Sequence, residues 1–122
     1  MTTSVGIPAF GLLLALLLAN PTMVGAHSKS ETTTPANGAT LEVAPDTIGM
    51  TFDKPMRITL ITLSNRAGES LELTRTDNMQ PVTEFVATPP GDLPDGHYTI
   101  EWRGLSADGH PMEGQFSFGI AR

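Results

Sequence analysis

In several short segments from residue 47 onward the apolar residues return at every second position, a spacing whose apolar side a strand can bury and a helix cannot. Ile48, Met50 and Phe52 share one face of Thr47–Phe52, and Phe116, Phe118 and Ile120 share one face of Gln115–Ile120. Alternation with β-branched residues predicts another strand over Arg57–Leu63, which Asn65-Arg66-Ala67-Gly68 turns towards a partner around Leu71 and Leu73. Short strands are also predicted at Thr83–Ala87 and His97–Arg103, and no segment sustains a helical period. Pro and Gly turns at this spacing specify an all-β fold, an antiparallel two-sheet sandwich with Greek-key connections. Leu93-Pro94-Asp95-Gly96-His97-Tyr98 reads as the corner between sheets, with the Tyr98 hydroxyl capping backbone and its ring joining the core. Tyr98 and Trp102 are therefore read as structural.

The stretch before this domain has a different character. An apolar run from Phe10 to Ala19 is followed by Asn20-Pro21 and then by Val24-Gly25-Ala26, the small residues a signal peptidase reads. The run falls short of the roughly 20 residues a membrane-spanning helix needs. Residues 1–26 are expected to be a signal peptide, cleaved after Ala26, and residues 27–122 one exported domain without membrane insertion. The first eight residues carry no Lys or Arg, so an uncleaved anchor is the alternative. Cleavage would make His27 the first residue, and its free α-amine and ring Nδ1 could close a six-membered chelate on one metal ion.

Charge and composition narrow the partners. The net charge is −6, and the seven basic residues are scattered after the leader. Nucleic acid and anionic membrane surfaces reward clustered Lys and Arg, so neither is expected as a partner. The chain has no cysteine. An exported domain without a disulfide framework relies on its core, and a metal site without thiolates must use nitrogen, carboxylate or thioether.

Three histidines compete for such a site. Asp108-Gly109-His110 lies in a predicted loop, Leu105 to Glu113, directly before the last strand. Residues two apart in extended backbone project to one side, so the Asp108 carboxylate and the His110 imidazole could converge on one ion, with Gly109 removing hindrance and Pro111 stiffening the exit. The competing reading is a turn in which Asp108 bonds its own backbone and His110 is solvated. A second triplet, Asp95-Gly96-His97, falls in the corner, where period-two counting sets His97 opposite the apolar residues and facing solvent. Met50, Met56, Met79 and Met112 form no cluster, and Met50 belongs to a core face. Ser106 has no G-x-S-x-G elbow around it, so a seryl hydrolase is not expected.

Taken together, several motifs carry a family resemblance. Ala26-His27, Thr34-Pro35-Ala36-Asn37-Gly38-Ala39, Phe52-Asp53-Lys54-Pro55-Met56, Leu93–Tyr98, and Trp102-Arg103-Gly104-Leu105-Ser106-Ala107-Asp108-Gly109-His110-Pro111 with Gly114-Gln115-Phe116-Ser117-Phe118 closely resemble the CopC family of periplasmic copper-binding proteins. The resemblance implies a Greek-key β-sandwich or barrel of about seven strands, immunoglobulin-like or cupredoxin-like. It implies one Cu(II) per chain, held by the α-amine and imidazole of His27, the carboxylate of Asp108 and the imidazole of His110. Three nitrogens and one oxygen suit the tetragonal preference of Cu(II). The implied protein is a periplasmic, monomeric copper carrier for homeostasis or resistance, not an enzyme, that hands the ion to an inner-membrane copper transporter of CopD type. Two features depart from the family pattern: the methionine-rich loop of members with a Cu(I) site is missing, and Lys54 stands where many members place an acidic residue. Two other functions compete, a histidine-brace copper redox enzyme and a metal-free immunoglobulin-like interaction module.

Overall fold

The computed structural model describes Ser30 and residues 32–122. The leader, the cleavage point after Ala26 and His27 lie outside the described residues. Among those described, the chain is built of strands alone: β1 (Thr32–Thr34), β2 (Ala39–Leu41), β3 (Ile48–Asn65), β4 (Ser70–Leu71), β5 (Thr74–Arg75), β6 (Val82–Thr88), β7 (Gly96–Ser106) and β8 (Pro111–Ile120). They form one curled sheet whose two halves share β3 and enclose the core between them. The all-β sandwich expected from the alternation is what forms.

The first half of β3 is flanked on both edges, with Thr51 opposite Thr32 of β1 on one side and Glu84 of β6 on the other. The second half pairs with β7 from Met56↔Ser106 to Asn65↔Tyr98, and β8 and then β2 extend the sheet beyond it. Because β6 and β7 occupy opposite edges, β1 and β7 lie along the same edge of β3, one after the other. Between them Phe52–Pro55 has no partner on that edge among the described residues.

That gap explains a difference from the sequence reading. Thr47–Phe52 and Arg57–Leu63 were expected as separate strands, yet β3 is one strand of 18 residues. Pro55 would break a paired strand, because it has no N–H to give. Here β6 pairing skips from Thr51 to Met56 and β7 pairing starts at Met56, so among the described residues the missing donor has no ladder to interrupt. Asp53, Lys54 and Pro55 run on as exposed, extended backbone.

The other differences concern β1 and β2: the sequence reads as a polar stretch over Ser28–Thr34 and a turn over Pro35–Gly38, and gives no element at Ala39–Leu41. Thr32–Thr34 has no apolar alternation to announce it and is held by backbone pairing and a Thr32–Thr51 hydroxyl contact of 2.7 Å. The predicted turn at Pro35–Gly38 is present, with Gly38 at φ +85°. It reverses the direction of β1, and the reversed direction is that of β8, so β2 pairs with β8 in parallel where an all-antiparallel fold was expected. Asn37 fastens the crossing, its Oδ1 accepting from Ser117 N at 3.0 Å.

Inward-facing residues fill the core as the alternation requires. Ile48, Met50, Phe52, Phe116, Phe118 and Ile120 are all buried. Phe52, from the first half of β3, meets Trp102 of β7 edge-on at 5.4 Å, and Tyr98 stacks on Phe118 at 5.4 Å. The corner forms as expected: Tyr98 is buried and its hydroxyl donates to Pro94 O at 2.6 Å. Arg122 locks the same corner, donating to Asp95 Oδ1 at 2.6 Å and to Leu93 O at 3.1 Å. This corner and the β7–β8 connection stand at opposite ends of β7.

Candidate metal centre

The β7–β8 connection is tighter than the loop expected over Leu105 to Glu113. Leu105↔Pro111, Gly104↔Met112 and Arg103↔Glu113 are paired across the ladder, leaving a three-residue hairpin loop, Ala107–Gly109. Gly109 N donates to Ser106 O at 2.8 Å, and Ser106 N to His110 O at 2.9 Å. Such a loop ends on a residue of left-handed conformation, and Gly109 supplies it at φ +88°. The glycine is thus needed for the turn itself. Pro111 opens β8 opposite Leu105 and so sits on a strand rather than stiffening an open loop.

This turn sets two side chains together. Asp108 Oδ1 lies 3.0 Å from His110 Nδ1, and both side chains are exposed, at 71% and 73%. Their proximity comes from the reversal of the turn and not from an extended i, i+2 stretch. The same carboxylate oxygen accepts the Ser106 hydroxyl, and Ser106 Oγ in turn accepts His110 N at 3.1 Å. The Ser106 hydrogen bond first, and then the His110 imidazole, hold the Asp108 carboxyl at about 2, well below the ordinary carboxylate range. Asp108 is therefore an anionic oxygen donor at any working pH.

The contact is a hydrogen-bonded ion pair, and its length is also compatible with two donors sharing one ion. Two donors each about 2.0–2.1 Å from a metal and at right angles to one another stand roughly 2.9 Å apart. Asp108 and His110 meet that separation already. They are only two, and among the described residues no group of three or more His, Cys, Asp or Glu gathers. A closed site needs further donors, and His27 lies outside the described residues.

The remaining candidates are dispersed. His97 is exposed at the corner end of β7 opposite Gly119, as the strand periodicity requires, and Asp95 beside it is held by Arg122. Met50 and Met56 are buried in the core, and Met79 stands exposed in the β5–β6 connection. Asp53 and Lys54 are exposed on the stretch of β3 between Thr51 and Met56. Ser106, weighed in the sequence only as a nucleophile, bonds both members of the pair.

Fold and hairpin together define a small β-sandwich protein with a carboxylate–imidazole pair at one end of its sheet. The model of the CopC domain matches residues 30–121, and the chain belongs to the CopC family. It is 28% identical over 109 residues to copper resistance protein C of Xanthomonas campestris pv. juglandis, covering 78% of this chain and 80% of that protein. Copper resistance protein C of Pseudomonas syringae pv. tomato is also 28% identical, over 98% of this chain and 95% of its own. The copper transport protein CutJ of Bacillus subtilis is 28% identical over 91% of this chain, which spans only 21% of CutJ's length. Among solved structures, PcoC, a copper resistance protein from Escherichia coli, superposes with a TM-score of 0.64 at 21% identity, covering 76% of this chain and 99% of PcoC. CopC from Methylosinus trichosporium OB3b gives 0.63 at 20% identity, covering 77% and 93%. These two bear on the fold. The family is one of copper-handling proteins.

Proposed function

We propose that the chain is an exported Cu(II) carrier, processed after Ala26 so that His27 becomes its N-terminus, and that it binds rather than transforms its cargo. One Cu(II) per chain is held by the amine and imidazole of His27, the carboxylate of Asp108 and the imidazole of His110. The observation that carries this reading is the Asp108–His110 pair, pre-set at 3.0 Å on an exposed hairpin in a member of a copper-handling family.

The route of the chain supports the third residue. β1 runs antiparallel to β3, so from Thr34 back to Thr32 it points along β3 from Gly49 to Thr51, in the direction of Met56, which is paired with Ser106. A strand advances about 3.3 Å per residue, which puts Met56 roughly 16 Å beyond Thr51. Five residues of extended chain, from Thr32 back to His27, span up to about 17 Å. An extended chain of that length would be long enough to reach the level of Ser106, and among the described residues no strand pairs with β3 between Thr51 and Met56 on that edge.

The chemistry supports the oxidation state. Nitrogen and carboxylate donors suit Cu(II), which outcompetes other divalent first-row ions at such sites, and the chain has no thiolate to favour Cu(I). A periplasmic location follows from the proposed export, and a monomer suffices because the donor set comes from one chain. Transfer to a membrane copper transporter is supported by CutJ, where a stretch like this chain is a fifth of a copper transport protein. Isothermal titration of protein beginning at His27 should give one Cu(II) per chain. Unchanged affinity in His27→Ala or His110→Ala would refute the ligand set, and N-terminal sequencing of the exported protein checks the processing.

A further inference from the structure

We propose that Ser106 is the positioning residue of this site, its hydroxyl holding Asp108 and His110 side by side before any metal arrives. The proposal rests on reading Asp108 and His110 as copper ligands. Ser106 ends β7 and directly precedes the loop. Its backbone closes the turn on both sides, giving its N–H to His110 O and taking that of Gly109. Its side chain then does two further things at once: Oγ–H donates to Asp108 Oδ1, and Oγ accepts His110 N at 3.1 Å.

The consequences differ for the two ligands. Asp108 sits at the tip of a loop and is exposed, so without a tether its carboxylate would sample several rotamers, of which few face His110. The hydroxyl selects the one that does. His110 is fixed through its main chain, which sets where its side chain leaves β8. Ser106 itself is only half-buried at the end of a strand, so the anchor belongs to the sheet while the ligands project from it. The hydroxyl also engages one of the two carboxylate oxygens, Oδ1, which favours a grip on metal through a single oxygen over chelation by both. Hydrogen-bond partners behind metal ligands typically control 10–100-fold of affinity.

The test compares the protein beginning at His27 with Ser106→Ala, Ser106→Thr and His110→Ala. Cu(II) affinity is measured by competition with a chelator of known strength, the copper environment by electron paramagnetic resonance, and the amide exchange of His110 by NMR without copper. Ser106→Ala should bind Cu(II) about 10–100-fold more weakly. It should also give a mixed resonance spectrum and exchange the His110 amide faster. Ser106→Thr, which keeps the hydroxyl, should return all three towards the parent values. Affinity within twofold of the parent and an unaltered spectrum in Ser106→Ala would overturn the proposal, as would a Ser106→Thr variant as weak as Ser106→Ala. Loss of affinity in His110→Ala but not in Ser106→Ala refutes the role of Ser106 alone. Equal affinity in the parent and His110→Ala refutes the ligand assignment itself, and the role of Ser106 with it.

Discussion

Gly114 shows how much a single missing atom can decide. A Cβ at this position would stand 2.6 Å from Nε1 of Trp102, because the indole lies across β8 where a side chain would otherwise rise. Gly114→Ala must therefore move the indole or the strand, and overpacking of this kind costs about 1–3 kcal/mol. Denaturant unfolding should show that loss, with a change in the near-ultraviolet circular dichroism of the only tryptophan. At Asp77 the governing quantity is charge. Its carboxylate is almost enclosed, 7% exposed, and takes two hydrogen bonds from Arg75 at 2.7 and 2.9 Å. That bonding holds the Asp77 carboxyl below its ordinary value. The unfolded chain therefore takes up the proton first on acidification. The stabilisation is complete above about pH 4 and disappears as pH falls through the lowered folded value. Asp77→Asn should cost about 1–3 kcal/mol at neutral pH and flatten this part of the stability–pH curve, as urea titrations across pH 3–7 would measure.

At the scale of elements the β7–β8 hairpin carries both the sheet and the candidate site. Gly109 holds the left-handed position of its loop with open space where a Cβ would go, so Gly109→Ala is penalised by backbone conformation alone. The expected loss is about 1–2 kcal/mol of stability. Because the same turn sets Asp108 against His110, Cu(II) affinity in a chelator competition should fall with it. The sequence made the strands of this hairpin legible because both bury alternate residues: Tyr98, Ile100 and Trp102 on β7, Phe116, Phe118 and Ile120 on β8. It also put Asp108 and His110 on the short list, though by an extended-strand argument where a turn is responsible. β1 was invisible, since three threonines held by backbone bonds and one hydroxyl contact leave no periodic trace. The continuity of β3 was hidden by Pro55, whose effect depends on which neighbours pair beside it, and that is a property of the whole sheet. The role of Ser106 depends on the hairpin register and could be seen only once the loop was known to have three residues.

For the whole molecule, a domain without disulfides rests on one core, and a bound ion adds directly to its stability. Copper that binds only the native state should contribute about 4 kcal/mol at a thousand times its dissociation constant. In a domain of this size each kcal/mol moves the melting temperature by roughly 4–8 °C. Calorimetry should therefore show a large upward shift with Cu(II) and a reduced one in His110→Ala; identical melting curves with and without Cu(II) would contradict the proposed site. The order of strands along β3 adds one more consequence. The first strand and the seventh share an edge of the third, so β1 and the β7–β8 hairpin are aligned along one edge only when the middle of the molecule is in place. Under the proposed export and processing, a polypeptide still emerging from the channel would present His27 long before His110 could join it. Under the proposed ligand set, cargo is refused by unfinished chains: the ion is gripped only by a molecule that has completed its fold.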